Sequence, residues 1–144
     1  MKDLTEKDIQ VFLREVNADF PVPLSEKVDL DIYAEKLLQK ATLCCEVENE
    51  AIVAMVAGYT DNISNGLAYI ALVATLKSYR GKGLARKLVN EFLECCKQKS
   101  IKAVHLYTHH KNLAALRLYA DLGFAEYVVL DEKRPCDVHL IYYL

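Results

Sequence analysis

The chain has few of the features that mark linkers, disulfide frameworks or membrane spans. Its 144 residues include only three prolines and five glycines, and no stretch is of low complexity, so we expect one folded domain without a disordered region. No apolar run approaches the roughly 18 residues that a membrane helix needs. The N-terminus, MKDLTEKDIQ, lacks the apolar core of a signal peptide. We therefore expect a cytoplasmic protein with no membrane partner.

The charge and the cysteines make two further classes improbable. A net charge of -2 argues against a nucleic-acid partner, because such domains usually carry a strong basic excess. The odd number of cysteines and the absence of C-x-x-C spacing predict reduced thiols, with neither a disulfide framework nor a metal site. The cysteines form two adjacent pairs and a singleton: Cys44 and Cys45, Cys95 and Cys96, and Cys136. For the oligomeric state we expect a monomer or a homodimer.

The chain does contain an alternation of helix-like and strand-like segments. TEKDIQVFLREVNADF opens with a threonine cap and carries one apolar helical face, and DLDIYAEKLLQK predicts a second helix. Two β-like runs joined by ENE predict a hairpin, and LAYIALVAT predicts a third strand. A helix up to about Gln98, a strand, a capped helix ending at Gly123 and the two strands EYVVL and VHLIYYL follow. This order indicates an α/β fold with a mixed sheet.

The stretch YRGKGLARKL, residues 79–88, combines a bare backbone with positive charge at a helix start. Backbone amides around Gly81 and Gly83 can converge on an anion, and the helix N-terminus adds partial positive charge. Five basic residues raise the local potential further: Lys77, Arg80, Lys82, Arg86 and Lys87. The pattern suits a phosphate or pyrophosphate, although it is neither a Walker loop nor a dinucleotide fingerprint. Without a second feature, a two-glycine loop beside a solvated basic helix face explains it as well.

A second feature lies in HHKNLAALRLYADLGF. Asn112 is a natural helix N-cap, and Tyr119 follows it by almost two helical turns. Both side chains should therefore point to nearly the same side of the helix. Alone, the pair would be interpreted as a cap and a core tyrosine.

Together, in this order and spacing, the two features resemble the GCN5-related N-acetyltransferase (GNAT) superfamily. The signature Q/R-x-x-G-x-G/A corresponds to residues 80–85, and N-x-x-A-x-x-L/F-Y-x-x-x-G-F corresponds to Asn112, Ala115, Leu118, Tyr119, Gly123 and Phe124. The resemblance covers the chain from about Leu43 to the C-terminus. It implies one acetyltransferase domain over residues 1–144. The implied GNAT fold has a mixed, mostly antiparallel sheet of about six to seven strands, flanked by about four helices, with strands four and five splayed apart.

The resemblance also implies acetyl-coenzyme A as a co-substrate and no metal. Its pyrophosphate would bind at the loop and helix start, that is, at Arg80, Gly81, Lys82, Gly83, Leu84, Ala85 and Arg86. Pantetheine would lie along the strand before the loop, at Val73, Ala74 and Thr75, where an amide would polarise the thioester carbonyl. Asn112 would contact the cofactor arm, and the Tyr119 hydroxyl would protonate the departing thiolate.

The pattern departs from the family at the base that must deprotonate the attacking amine. Many members have a glutamate five residues before the asparagine, whereas this chain has Tyr107, a poor base at neutral pH. His109 is the preferred substitute, a surface loop histidine being its other interpretation, and the remaining candidates are His105, His110, Asp61, Tyr69 and Glu35. The base therefore stays unassigned.

The acceptor is expected to be a primary amine on a small molecule or a protein. The acidic N-terminal region, with Asp19, Glu26, Asp29, Asp31 and Glu35, would suit a cationic amine, and a solvated charged face explains it equally. DFPVPLSEKVDL is similar to bacterial members that act on small molecules. The alternative to an N-acetyltransferase is a non-catalytic acyl-CoA sensor, which the missing glutamate favours and the presence of Tyr119 disfavours.

Overall fold

Helices cover both faces of one sheet in the computed structural model, which describes residues 3–61, 65–127 and 134–144. The helices are α1 (Glu6–Val16), α2 (Leu30–Lys40), α3 (Leu84–Gln98) and α4 (Leu113–Leu122). Thr5 caps α1, as the sequence predicts, and with Asp8 it forms a capping box; Asp29 caps α2. No helix in the described ranges is both long and apolar enough to span a bilayer.

The sheet has six strands in the order β1-β2-β3-β4-β6-β5. They are β1 (Thr42–Glu48), β2 (Ala51–Tyr59), β3 (Leu67–Thr75), β4 (Ala103–His109), β5 (Ala125–Glu126) and β6 (Asp137–Tyr143). Within the described ranges β3 and β4 are the parallel pair and the other neighbours are antiparallel. This confirms the predicted mixed, mostly antiparallel sheet with four helices. Of the predicted strand EYVVL, only Glu126 lies in β5; Tyr127 is outside the strand, and residues 128–130 lie outside the described part.

The predicted splay of two central strands is confirmed, and it lies between β3 and β4. Their pairing runs from Leu67 opposite Ala103 to Ile70 opposite Leu106 and ends there, although both strands continue. On the other side of β3, Ala57 pairs with Leu72 and Gly58 with Ile70, so Ala71 is an extra residue. Such a bulge bends a strand and increases its twist. From Ala71 onward, β3 therefore has a neighbouring strand on one side only.

Each face of the sheet has its own core. Leu88 and Phe92 of α3 pack with Leu106 on one face, whereas Phe12 of α1 and Leu37 of α2 pack with sheet residues on the other. The predicted apolar face of α1, Ile9, Phe12, Leu13 and Val16, is fully buried.

The apolar residues predicted for α2 behave differently from those of α1. Leu37 is buried, but Ile32 is 67% exposed and Leu38 is 38% exposed, because Ala34 and Leu37 hold the buried stripe of this helix.

Candidate active site

A cleft of about 800 Å³ opens where β3 and β4 separate. One end is bounded by the glycine loop and the starts of α3 and α4, and its side is formed by the segment from Val16 to Lys36. Most of the residues predicted from sequence to bind a cofactor line it: Val73, Ala74, Thr75, Arg80, Gly81, Gly83, Leu84, Ala85, Arg86 and Asn112. Tyr119, the predicted acid, lines the same cleft, so one space brings the two sequence motifs together.

The backbone of β3 offers a free edge to this cleft. The Leu76 N–H donates to the Val53 carbonyl at 2.9 Å, so residue 76 faces β2. Because antiparallel strands alternate in the direction of their backbone groups, Ala74 also faces β2, and Val73 and Thr75 turn toward the cleft. The Arg80 Nε–H donates to the Thr75 carbonyl at 3.1 Å, which agrees with this orientation. The backbone N–H and C=O groups of Val73 and Thr75 therefore point toward the cleft, whereas those of Ala74 point toward β2.

The glycine loop presents unpaired amides at the start of α3. Gly81 and Gly83 have φ angles of +80° and +78°, a left-handed conformation that favours glycine. Within the described part of the chain, the N–H groups of residues 81–86 donate to no backbone carbonyl, and α3 has no side-chain cap. A Cβ at either glycine would meet no protein atom within 4 Å. The backbone at both glycines therefore faces open space. No neighbouring protein atom requires glycine here, so the requirement comes from the left-handed backbone or from a ligand that approaches closely.

The basic side chains around the loop contribute less free charge than the sequence predicts. The Arg80 guanidinium bonds to Asp19 at 2.7 Å, Arg86 lies 3.5 Å from Asp121, and Lys87 lies 3.0 Å from Glu46. The Lys82 ammonium lies over the Tyr79 ring, 5.1 Å from its centroid, and Lys82 is not among the residues that line the cleft. Arg80, Arg86 and Lys87 are thus partly neutralised, and the unpaired amides and the helix N-terminus supply a large part of any attraction for an anion.

Asn112 and Tyr119 occupy the start and the middle of α4. Asn112 is the N-cap, as predicted, since its Oδ1 accepts a hydrogen bond from the Ala115 N–H at 3.2 Å. Its amide nitrogen is left for other partners. Tyr119 is 5% exposed and packs edge-on against Phe124, with ring centroids 5.5 Å apart. Its hydroxyl makes no hydrogen bond to a described residue, so the ring is in the core while the hydroxyl has no structural partner there.

Burial also defines the protonation state of Tyr119. Desolvation raises the pKa of its hydroxyl well above the usual value near 10, because a phenolate would lose its hydration in this position. The group therefore stays protonated at physiological pH. It can donate a hydrogen bond to a developing anion, and it has no tendency to act as a base.

A cluster of rings occupies the place of the missing glutamate. Tyr107 of β4 stacks on His139 of β6, with centroids 4.2 Å apart and planes at 14°. His139 Nε2 and His105 Nδ1 are 2.8 Å apart, so they share a hydrogen bond. Tyr69 of β3 lies 5.1 Å from the His105 ring. The sequence indicates His105 and Tyr69 among several candidates but not His139, because only the β4–β6 register brings His139 there.

Arg134 closes this cluster on the cleft side. Its guanidinium lies over the Tyr107 ring at 4.2 Å and donates to Asp137 at 3.3 Å. Burial, with His139 and Arg134 nearby, lowers the pKa of His105 below its ordinary value of 6.5. The His105 ring is therefore neutral at neutral pH, and one nitrogen of the His105–His139 pair can accept a proton.

The other base candidates are placed less favourably. The Lys111 N–H donates to His109 Nδ1 at 3.1 Å, so neutral His109 holds its proton on Nε2 and has no available lone pair, although it lines the cleft. His110 Nδ1 bonds to the Cys136 carbonyl at 2.8 Å. Asp61 pairs with Lys99, and Glu35 accepts from Gln39. Of these four candidates, only His109 lies in the cleft.

The cysteines are free thiols in the structure, as the sequence predicts. Burial raises the pKa of Cys44 to about 11 and the pKa values of Cys45 and Cys96 to about 12, which keeps these thiols protonated. One group of possible metal ligands exists in the described residues: His109, His110 and Cys136 place one ligand atom each within 4.8 Å of the others. The expectation of no metal stays a prediction.

Comparisons with known proteins agree with this geometry. N-alpha-acetyltransferase 30 of Schizosaccharomyces pombe is 41% identical over 59 residues, which are 41% of this chain and 39% of that protein. This chain thus spans less than two fifths of the length of the curated relatives that it matches.

Solved structures share the fold over nearly the whole chain. An acetyltransferase of the GNAT family from Staphylococcus aureus Mu50 has a TM-score of 0.77 at 18% identity, covering 96% of this chain and 92% of its own. PaiA N-acetyltransferase from Thermoplasma acidophilum, in complex with coenzyme A, has a TM-score of 0.76 at 14% identity, with coverages of 99% and 97%. The family model described as Acetyltransferase (GNAT) family matches residues 9–124. The chain therefore belongs to the GNAT acetyltransferase family.

Proposed function

We propose that the protein transfers the acetyl group of acetyl-CoA directly to a primary amine. The observation that carries the proposal is the convergence of three features on one cleft: the amides of residues 81–86, the free edge of β3 and the Tyr119 hydroxyl. Family membership supports it, as do the N-acetyltransferase names of the relatives and the coenzyme A in the PaiA complex.

The glycine loop would bind the pyrophosphate. Amides of residues 81–86 would donate to its oxygens, and the N-terminus of the 15-residue helix α3 would add favourable potential. Val73 and Thr75 would pair with the pantetheine amides as a neighbouring strand does, while Asn112 would donate its side-chain amide to the same arm. The unpaired edge between Ala71 and Thr75 is the place for this pairing, because β4 has already diverged.

The chemical step needs an oxyanion donor and an acid. A backbone N–H of the bulged segment near Ala71 or Val73 would bond to the thioester oxygen and stabilise its negative charge while the amine nitrogen attacks the carbonyl carbon. When the carbon–sulfur bond breaks, Tyr119 would give its proton to the thiolate and regain one from solvent.

The amine must lose a proton during the same step. Tyr69 and Tyr107 line the cleft, and the His105–His139 pair, whose His105 has a lowered pKa, lies directly behind them. We therefore propose this pair as the proton acceptor, reached through one of the tyrosines or a water. It would replace the glutamate that many family members have at position 107.

The test is to incubate the protein with acetyl-CoA and a panel of primary amines, and to measure both released CoA and acetylated amine. Transfer predicts equal amounts of the two products, dependent on the amine. The sensor alternative, which the absence of a carboxylate at Tyr107 favours, predicts acetyl-CoA binding without either product. CoA release without acetylated amine would indicate hydrolysis and would also contradict the proposal.

A further inference from the structure

The cleft has a second end, far from the glycine loop, which we call the acceptor end: Lys27, Tyr33, Lys36, Tyr59 and Tyr69. Tyr59 of β2 lies opposite Tyr69, which is near the start of β3. The glycine loop, in contrast, follows the end of β3. Thr75 lies six positions after Tyr69 along the strand, a distance of about 20 Å at the usual rise per residue. A ligand group bound at the acceptor end therefore cannot be the pyrophosphate held by the loop.

Each carboxylate that lines the cleft in the described part of the chain is paired with an arginine. Among the described residues that line the cleft, the acidic ones are Asp19, paired with Arg80, and Asp137, paired with Arg134. Three other acids of the N-terminal region lie outside the cleft lining and have partners in or next to the helices. Asp29 caps α2, Asp31 pairs with Arg14, and Glu35 accepts from Gln39. The sequence-based expectation that this region suits a purely cationic amine therefore has no support from the lining.

The polar side chains at the acceptor end that form no ion pair with a described residue are hydrogen-bond donors, namely lysines and tyrosines. Lys27 and Lys36 both line the cleft, and neither forms an ion pair within the described part of the chain. The Lys36 ammonium lies over the Tyr59 ring, 5.2 Å from its centroid. The Tyr59 hydroxyl is buried and has no hydrogen-bond partner among the described residues, which is costly unless a ligand or water completes it. Burial raises the pKa of Tyr33, so its hydroxyl also stays protonated.

From these donors we infer that the acceptor end binds an anionic group, a carboxylate or a phosphate, carried by the amine that is acetylated. The inference rests on the proposed function, since it names the class of its acceptor. Lys36 and Lys27 supply the charge, and the Tyr59 hydroxyl supplies a directed hydrogen bond. The amine at the other end of the same molecule then points along β3 toward the splay, where the thioester would lie.

Two pairs of amines that differ in charge test the inference: γ-aminobutyrate against γ-aminobutyramide, and aminoethyl phosphate against ethanolamine. Their binding is measured by calorimetry in the presence of CoA, which is unreactive, and their turnover is measured with acetyl-CoA. We expect the anionic member of at least one pair to bind roughly tenfold more tightly. Which pair shows the preference distinguishes carboxylate from phosphate recognition.

Variants locate the preference in the protein. Binding of the amine that carries the acidic group should weaken several-fold in Lys36→Gln and in Lys27→Gln. It should also weaken in Tyr59→Phe, and this variant should stay folded because phenylalanine keeps the ring. Neither lysine substitution should change binding of the partner amine that lacks the acidic group. Lys40→Gln is the matched control, because Lys40 lies in the last turn of the same helix, exposed and outside the cleft. A loss of equal size in Lys40→Gln would overturn the assignment.

Binding and turnover separate the two proposals. Preferential binding of the anionic amine without turnover supports the inference and contradicts acetyl transfer. Turnover of both members of each pair with equal KM supports transfer and overturns the inference. The absence of both binding and turnover for all four amines contradicts both.

Discussion

Tyr107 and His139 lie face to face on neighbouring strands, with ring centroids 4.2 Å apart and planes only 14° from parallel. They are opposite one another in the β4–β6 register. Through this stack the position of the missing glutamate is joined to a histidine pair, because His139 Nε2 lies 2.8 Å from His105 Nδ1. A histidine pair therefore lies directly behind Tyr69 and Tyr107, the tyrosines that line the cleft.

If the histidine pair accepts the amine proton, its removal must slow the reaction. His139→Phe keeps a ring to stack on Tyr107 but removes both nitrogens. We expect kcat to fall by about 10²-fold or more, as for loss of a general base, with acetyl-CoA affinity unchanged. In the wild type, kcat should decrease at low pH as the histidine pair becomes protonated, and this decrease should be absent in the variant. His110→Phe, which alters a histidine outside the cleft, should change neither, and an unaltered kcat and pH profile in His139→Phe would exclude the pair as the base.

The lowered pKa of His105 also leads us to predict how the free energy of unfolding depends on pH. Its pKa is lowered in the folded protein relative to 6.5, so the unfolded chain takes up this proton first as the pH falls. The stabilisation is complete above pH 6.5 and is lost as the pH falls through the folded-state value. His105→Gln should therefore lose less stability than the wild type between pH 7 and pH 5 in urea unfolding. Identical pH dependence in both proteins would contradict this.

The anion site at the glycine loop is tested by replacing Gly83 with Asp and with Asn. Both residues strain the backbone to a similar extent at this positive φ, so their comparison isolates the effect of charge. Gly83 has a φ of +78°, which Asn and Asp tolerate better than other residues, and a Cβ there meets no protein atom. Gly83→Asp adds a negative charge facing the bound pyrophosphate, so acetyl-CoA affinity should fall at least about tenfold below that of Gly83→Asn. Equal calorimetric affinities in two folded variants would place the pyrophosphate elsewhere.

The cysteines are predicted to take no part in transfer. Burial raises the pKa values of Cys44, Cys45 and Cys96, and a protonated thiol is a poor nucleophile. Single substitutions of the five cysteines by alanine should therefore leave kcat largely unchanged, apart from effects on stability at buried Cys96. Mass spectrometry of the protein after a brief reaction checks the same point, because an acetylated cysteine would indicate a covalent intermediate.

The parts of the fold that the sequence predicted are those set by local patterns. The Thr5 cap, the buried stripe of α1 and the Asn112 cap depend on residues a few positions apart. The two motifs likewise predicted which loop and which helix would meet in one cleft.

The parts that it did not predict depend on contacts between distant segments. The Arg80–Asp19 pair joins residues 61 positions apart, and the His105–His139 bond joins residues 34 apart. The first partly offsets charge that the loop sequence suggested, and the second joins the two histidines that we propose as the base. Neither follows from a motif, since each requires the register of strands or the path of a non-helical segment.

Whether the protein catalyses transfer or only binds its nucleotide is tested most directly at Tyr119. Its hydroxyl has no hydrogen-bond partner among the described residues, so Tyr119→Phe should leave thermal stability and acetyl-CoA affinity nearly unchanged. The measurement is kcat for acetyl transfer by this variant relative to the wild type. Loss of the acid predicts a decrease of roughly 10²–10⁴-fold. A folded Phe variant that transfers acetyl at the wild-type rate would contradict the assigned role.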